Sequence, residues 1–234
     1  MPLIEFERVS HDYGVGATRG RPVVRDLDLR LSERRIGIIG GNGSGKSTFA
    51  RMFNALIVPT SGTVRVDGLD TRKQARDVRR RVGFCFADPD AQIVMPTVAE
   101  DVAFGLRRRG LTKDEIDARV DSVLARFGLA GHRDHPAHLL SGGQKQLLAL
   151  ASVLVTTPQV LVMDEPTTLL DLANTRMLTR TLADLDEQLV VVTHDLDLVA
   201  GFDRVLVFED GTISCDATPD IAIAHYLALH EVPR

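Results

Sequence analysis

Lys46 lies in a run of residues, Gly40-Gly41-Asn42-Gly43-Ser44-Gly45-Lys46-Ser47-Thr48, whose types and spacing suit the holding of a nucleotide triphosphate. From Gly40 to Ser47 it fits the phosphate-loop pattern GxxxxGK[ST]. Glycines at this density let the backbone take turns that a Cβ would block, so several N–H groups can point at the phosphates. Lys46 can then reach the β and γ phosphates, and the Ser47 hydroxyl can ligate Mg²⁺. Further on, the apolar run Val160 to Met163 ends in Asp164 and Glu165. A strand end beside a phosphate loop is where a Mg²⁺ ligand sits, which suits Asp164, and Glu165 is then placed to polarise a water. The string Leu140-Ser141-Gly142-Gly143-Gln144 reads as a helix start. Ser141 caps it, Gln144 completes a capping box, and two glycines leave amides uncovered at a cost in helix propensity, so it can hold an anion itself.

The elements that must position these residues are legible as patterns. Ile36 to Ile39 reads as a buried strand before the loop, and Thr48 to Leu56 as a helix after it, its positive end toward the phosphates. Ile4 to Val9 and Val23 to Leu31 alternate apolar and polar residues, and Thr63 to Gly68 is a further short strand. Together they predict an antiparallel sheet around the loop. Val82 to Phe86 is another strand, broken by Asp88-Pro89-Asp90. Beyond it Thr97 with Glu100, and Thr112 with Glu115, mark two capped helices; Ile116, Val120, Val123, Leu124 and Phe127 give the second a buried face. Val160 to Met163 and Leu189 to Val192 are continuous apolar runs, as in strands buried on both faces. Leu172 to Glu187 is the helix between them. A hairpin (Arg204 to Phe208, Thr212 to Asp216) and a helix from Pro219 follow. The expectation is one α/β domain over 1–234. Its nucleotide-binding core with a β subdomain takes residues 1–88 and 155–234, and an inserted helical subdomain takes 89–154.

Composition narrows the classes. A net charge of −4 and a pI near 6.0 argue against a general affinity for nucleic acid. No apolar run approaches the ~18 residues of a membrane span, and the first residues lack the layout of a signal peptide. Cys85 and Cys215 sit in apolar strand-like segments and read as buried, reduced thiols. His132, His135 and His138 recur every third residue, but Pro136 interrupts any helix and no cysteine joins them, so a surface loop is expected rather than a metal site.

Taken together, the phosphate loop, the Asp164-Glu165 strand end and Leu140 to Gln144 resemble the ATP-binding-cassette (ABC) ATPases over nearly the whole chain. The resemblance implies a RecA-like core that hydrolyses ATP with Mg²⁺, with Lys46, Glu165 and His194 catalytic. It implies that Leu140 to Gln144 is the signature, whose Ser141, Gly142, Gly143 and Gln144 contact the γ phosphate on a second subunit. A head-to-tail dimer with two composite sites follows, and a homodimer is expected because neither site would be degenerate. Thr193-His194-Asp195 matches the switch histidine. The segment Glu165 to Asp171 matches the stretch ending at the dimer seam, and Tyr13 the aromatic that stacks on adenine. One departure stands out: Ala87 occupies the place of a glutamine that senses Mg²⁺ and the attacking water. Gln92 could replace it only if the loop bends back, so Glu165 and His194 are expected to carry hydrolysis without it. The string Asp88 to Val94, followed by Thr97 to Gly105, is similar to the energy-coupling-factor branch of vitamin and metal importers. Ala87 and Met95-Pro96-Thr97 are most similar to the biotin-transporter ATPases. That resemblance implies a peripheral subunit on the cytoplasmic face of the cell membrane. Its partners would be a transmembrane scaffold subunit and a substrate-binding membrane subunit.

Overall fold

Ile4, Phe6 and Val9 are buried along the first strand while Glu7 and Arg8 face water. The alternation slips by one residue at Arg8, whose φ of 46° marks a bulge that returns Val9 to the covered side. This computed structural model describes residues 1–14, 22–107, 109–168 and 170–230. The chain runs β1 (Ile4–His11), β2 (Val24–Leu31), β3 (Arg35–Ile39), α1 (Lys46–Met52), β4 (Ser61–Val66), β5 (Leu69–Asp70), α2 (Ala75–Arg81) and β6 (Val82–Cys85). Three α-helices follow, α3 (Val98–Phe104), α4 (Lys113–Arg126) and α5 (Gly142–Leu154). The last third comprises β7 (Val160–Asp164), α6 (Leu172–Ala183), β8 (Gln188–Val192), α7 (Leu196–Val199), β9 (Arg204–Glu209), β10 (Thr212–Ala217) and α8 (Pro219–His230). Two compact units result: one of Met1–Phe84, Gln159–Glu165 and Asp186–Arg234, the other of Cys85–Pro158 and Pro166–Leu185.

The first unit is α/β. Its antiparallel sheet has the order β2-β1-β4-β5, and its larger sheet the order β10-β9-β3-β8-β7-β6. In the larger sheet β3 lies parallel to β8 on one side and to β9 on the other, and β7 lies parallel to β8. Every residue of β7 and β8 is buried, which explains the apolar runs Val160 to Met163 and Leu189 to Val192. Four phenylalanines tie the two sheets to α1. The Phe49 ring lies 4.7 Å from that of Phe6 on β1, 5.1 Å from Phe53, and 5.2 Å from Phe208 on β9, with which it stacks. All four side chains are essentially water-free. Each such burial is worth about 2–3 kcal/mol, and here it also fixes the helix that follows the phosphate loop.

The second unit is helical. The capping boxes expected at Thr97–Glu100 and Thr112–Glu115 are both formed, and α3, α4 and α5 pack on one another. Val120, Val123, Leu124 and Phe127 supply the buried side of α4. Buried Asp101 accepts from the amides of Val94 and Met95 and from Ser152 Oγ, which ties the segment before α3 to α5.

Two sequence expectations shift, and one helix was not anticipated. α1 begins at Lys46 rather than Thr48, because Gly45 at φ 107° turns the chain directly into it. α2 has no apolar periodicity to announce it, since Val78 is its one buried residue. Cys215 is half-buried on β10, whereas Cys85 is fully buried; burial pushes the Cys85 thiol up to about 12.

Candidate nucleotide-binding site

The loop between β3 and α1 depends on glycine for a steric reason. A Cβ at Gly40 (φ 153°) would lie 2.1 Å from the Phe208 carbonyl oxygen, and one at Gly45 (φ 107°) 2.4 Å from that of Val23. Both obstacles are backbone atoms, which cannot step aside. Gly43 is also left-handed, at φ 77°. Gly45 precedes α1 without a side-chain cap. Across the loop, Lys46 Nζ donates to the carbonyls of Gly40 (2.7 Å) and Gly41 (2.8 Å). Burial holds the Lys46 ammonium below its ordinary value, with the charges of Glu165 and Asp164 acting in the opposite sense.

Strand register brings the acids to the same edge. Ile38 on β3 is level with Val192 on β8, and Val192 is level with Asp164 on β7. The ends of three adjacent strands therefore lead to the loop, to His194, and to Asp164 and Glu165. Carboxyl ends of strands are where open α/β sheets bind ligands. Ser47 Oγ donates to Asp164 Oδ1 at 2.9 Å. Asp164 is buried, and desolvation raises its carboxyl above the usual range, more than Ser47, Arg51 and Lys46 lower it. A hydroxyl and a carboxylate side by side, both hard oxygen donors, fit a Mg²⁺ ion that also takes phosphate oxygens.

Glu165 adopts φ 52°, unusual for a residue with a side chain, and its N–H donates to the Val192 carbonyl (2.8 Å). The turned backbone sends its carboxylate to His194: Oε2 lies 2.8 Å from Nδ1 and accepts from the His194 N–H at 3.4 Å. Next door, Thr193 N–H donates to the Ile38 carbonyl, and Asp195 caps α7. On the other side of the loop the Tyr13 hydroxyl lies 3.0 Å from Thr48 Oγ1. Its ring stands edge-on to buried His11, 4.8 Å between centroids.

In the helical unit the box at Leu140 to Gln144 is formed as the sequence predicts. Ser141 Oγ accepts from Gln144 N–H (3.3 Å), and Gln144 Oε1 accepts from Ser141 N–H (2.9 Å). Gly143 is buried beneath α6, and a Cβ there would come within 2.5 Å of Asn174 Nδ2. Asp171 caps α6 by accepting from Asn174 N–H (2.8 Å), so the same Asn174 serves the cap and faces the signature glycine. Leu169, in the segment matched between Glu165 and Asp171, lies outside the described residues. Gln92 is tied within this unit, its Oε1 accepting from Phe86 N–H (3.0 Å) and its Nε2 donating to the Ala149 carbonyl (2.9 Å). Sequence reasoning did not find His11 or Asn174. Neither carries a motif, although Asn174 stands three residues after a capping acid.

The family model "ABC transporter" matches residues 24–168. The biotin transport ATP-binding protein BioM of Rhizobium etli is 49% identical over 95% of this chain and 97% of its own length. The energy-coupling factor transporter ATP-binding protein EcfA1 of Caldanaerobacter subterraneus subsp. tengcongensis is 41% identical over 93% of this chain and 81% of its own. Among solved structures, the dimeric ATP-binding cassette MJ0796, in a post-hydrolysis state with ADP and Pi, superposes with a TM-score of 0.82 at 27% identity. That match covers 92% of this chain and 98% of the cassette. No helix among the described residues is long and apolar enough to cross a membrane. The chain belongs to the ABC transporter family, and it is an ATPase similar to those of energy-coupling-factor and biotin transport systems.

Proposed function

We propose that this chain is the ATP-hydrolysing subunit of an energy-coupling-factor importer. It works as a homodimer in which each site takes the phosphate loop from one copy and Ser141 to Gln144 from the other. The observation that carries the reading is the gathering of Lys46, Asp164, Glu165 and His194 at the ends of three adjacent strands. Gly40, Asn42, Gly43, Ser44, Gly45, Lys46 and Thr48 hold the triphosphate, and Tyr13 stacks on the base. Ser47 and Asp164 hold Mg²⁺, which when bound neutralises charge on the β and γ phosphate oxygens. Glu165 takes the proton of the attacking water as the water oxygen bonds to the γ phosphorus. The bond to the bridging oxygen breaks, leaving ADP and phosphate. His194 meets Glu165 through Nδ1, so Nε2 is the nitrogen it offers to the γ phosphate. Gln92 stays out of the metal set because its amide serves Phe86 and Ala149. Asp171 belongs to the seam between copies.

The cargo is a vitamin, with biotin first, by similarity to the BioM relative and in the Ala87 and Met95 to Thr97 positions. The chain sits at the cytoplasmic face of the membrane, where Asp88 to Gly105 grips a scaffold subunit beside a substrate-binding membrane subunit. Affinity purification from the native cells in mild detergent, followed by mass spectrometry, tests this. Two small membrane proteins with biotin in the eluate are expected. A different vitamin, or a metal, would discard the biotin assignment and keep the ATPase role. Soluble partners alone would overturn the transporter reading.

A further inference from the structure

Gln144 makes two bonds, and the first dictates the second. A backbone N–H can only donate, so the Ser141 amide at 2.9 Å fixes which end of the Gln144 side chain is the oxygen. Its Nε2 therefore points the other way, where it meets His132 Nε2 at 3.2 Å. An amide NH₂ can only donate, so His132 must present a lone pair at Nε2 and carry its proton on Nδ1. That Nδ1 is buried and has no hydrogen-bond partner among the described residues. The imidazole leaves one polar atom unsatisfied while keeping its acceptor on the signature glutamine. A ring present only to fill space has no reason to accept that arrangement.

The ring is held firmly. The neighbouring Arg133 donates to Asp121 (2.8 Å) and Asp117 (3.0 Å), one turn apart on α4. Its carbonyl accepts from Ala99 N–H, and the carbonyl of His135 from Val98 N–H. The His135 ring packs against that of His132, 5.7 Å between centroids, and donates from Nδ1 to the Pro136 carbonyl.

We propose that His132 is a positioning residue for the signature. As a neutral acceptor it fixes the Gln144 amide, and with it the Ser141 cap and the uncovered amides at the start of α5. The proposal rests on the reading that this helix start acts on the γ phosphate bound by a second copy. It gives the histidine-spaced loop a task other than metal binding.

The test measures ATP turnover and affinity for trinitrophenyl-ATP in the full chain, purified with its membrane partners. His132→Phe keeps a ring but removes the acceptor; His132→Gln places a carbonyl oxygen near the position of Nε2. His132→Phe is expected to lower kcat at least fivefold, with nucleotide affinity within twofold of wild type. His132→Gln is expected to retain at least half of wild-type kcat. Should His132→Phe melt early, His132→Asn, whose amide stops short of Gln144, replaces it with the same expectation. Wild-type kcat in His132→Phe overturns the proposal, and so does a His132→Gln that falls as far as His132→Phe. Ser141→Ala, run alongside, separates the two levels. Full turnover there brings down the signature reading and this proposal with it, whereas an inactive Ser141→Ala beside an unaffected His132→Phe brings down this proposal alone.

Discussion

The two glycine-rich helix starts of this chain are built differently. At the phosphate loop the obstacles to a side chain are main-chain oxygens, those of Phe208 and Val23, and Gly40 and Gly45 have φ values closed to other residues. At the signature the obstacle is the Asn174 side chain, and Gly143 has no left-handed φ. The phosphate loop enters α1 without a side-chain cap, while the signature enters α5 through a complete capping box. One start leaves its donors to a ligand and relies on the surrounding backbone for its shape. The other takes its shape from its own capping box, which satisfies the Ser141 and Gln144 amides and leaves the glycine amides between them uncovered. The first should therefore be intolerant and energetically costly, the second repairable.

The largest effect is expected at Asp164, where the fold buries a charge that it does not need for packing. Asp164→Asn should lower turnover at least 100-fold while raising the melting temperature, because the desolvation of the buried carboxylate is relieved. The sign is fixed by linkage. The folded carboxyl has a raised pKa, so it holds its proton more tightly than the unfolded chain does. Its penalty grows as pH rises from the ordinary carboxylate value to the raised one, is full above that and is absent in acid. The variant's advantage in melting temperature should be present at pH 7 and vanish near pH 3. An equal advantage at both would show that the cost is not electrostatic.

Gly45→Ala comes next, with affinity for trinitrophenyl-ATP expected to fall about 50-fold, since neither the Val23 carbonyl nor the loop can yield. Retained affinity would break the contrast between the two helix starts. Gly143→Ala should fold, bind nucleotide within twofold of wild type and lose turnover about tenfold. Adding Asn174→Ala should restore most of that turnover, because the obstacle is a side chain. Failure of the double variant to recover would place both starts in the same class. The smallest effect concerns chemistry rather than turnover. At neutral pH iodoacetamide should label half-buried Cys215 well before Cys85, whose thiol is pushed up to about 12. Equal rates would show that the segment around Cys85 opens readily.

What was legible in the sequence follows the range of the interaction concerned. Capping boxes, the phosphate loop and the all-apolar strands are local patterns, and Thr97–Glu100, Thr112–Glu115 and Ser141–Gln144 stand as their spacing predicts. The α2 helix escaped because a single buried valine makes no periodicity. The placement of β3 between β8 and β9, Asn174 against Gly143, His132 against Gln144 and His11 beside Tyr13 are meetings of segments that leave no mark in either segment alone. The turned backbone of Glu165 was equally hidden, since Asp-Glu after an apolar run does not specify φ.

The central position of β3 has a consequence for the birth of the protein. Residues 35–39 find their neighbours at 189–192 and 204–207, and Gly40 abuts the carbonyl of Phe208. A ribosome has to synthesise about 160 further residues after the phosphate loop before the strands that seat it exist. Contacts this distant slow folding and leave the unpaired edges of β3 exposed meanwhile. A nascent chain stalled before Arg204 should therefore carry the complete loop sequence yet fail to capture ATP, and the growing polypeptide cannot begin to spend nucleotide before its last strands emerge.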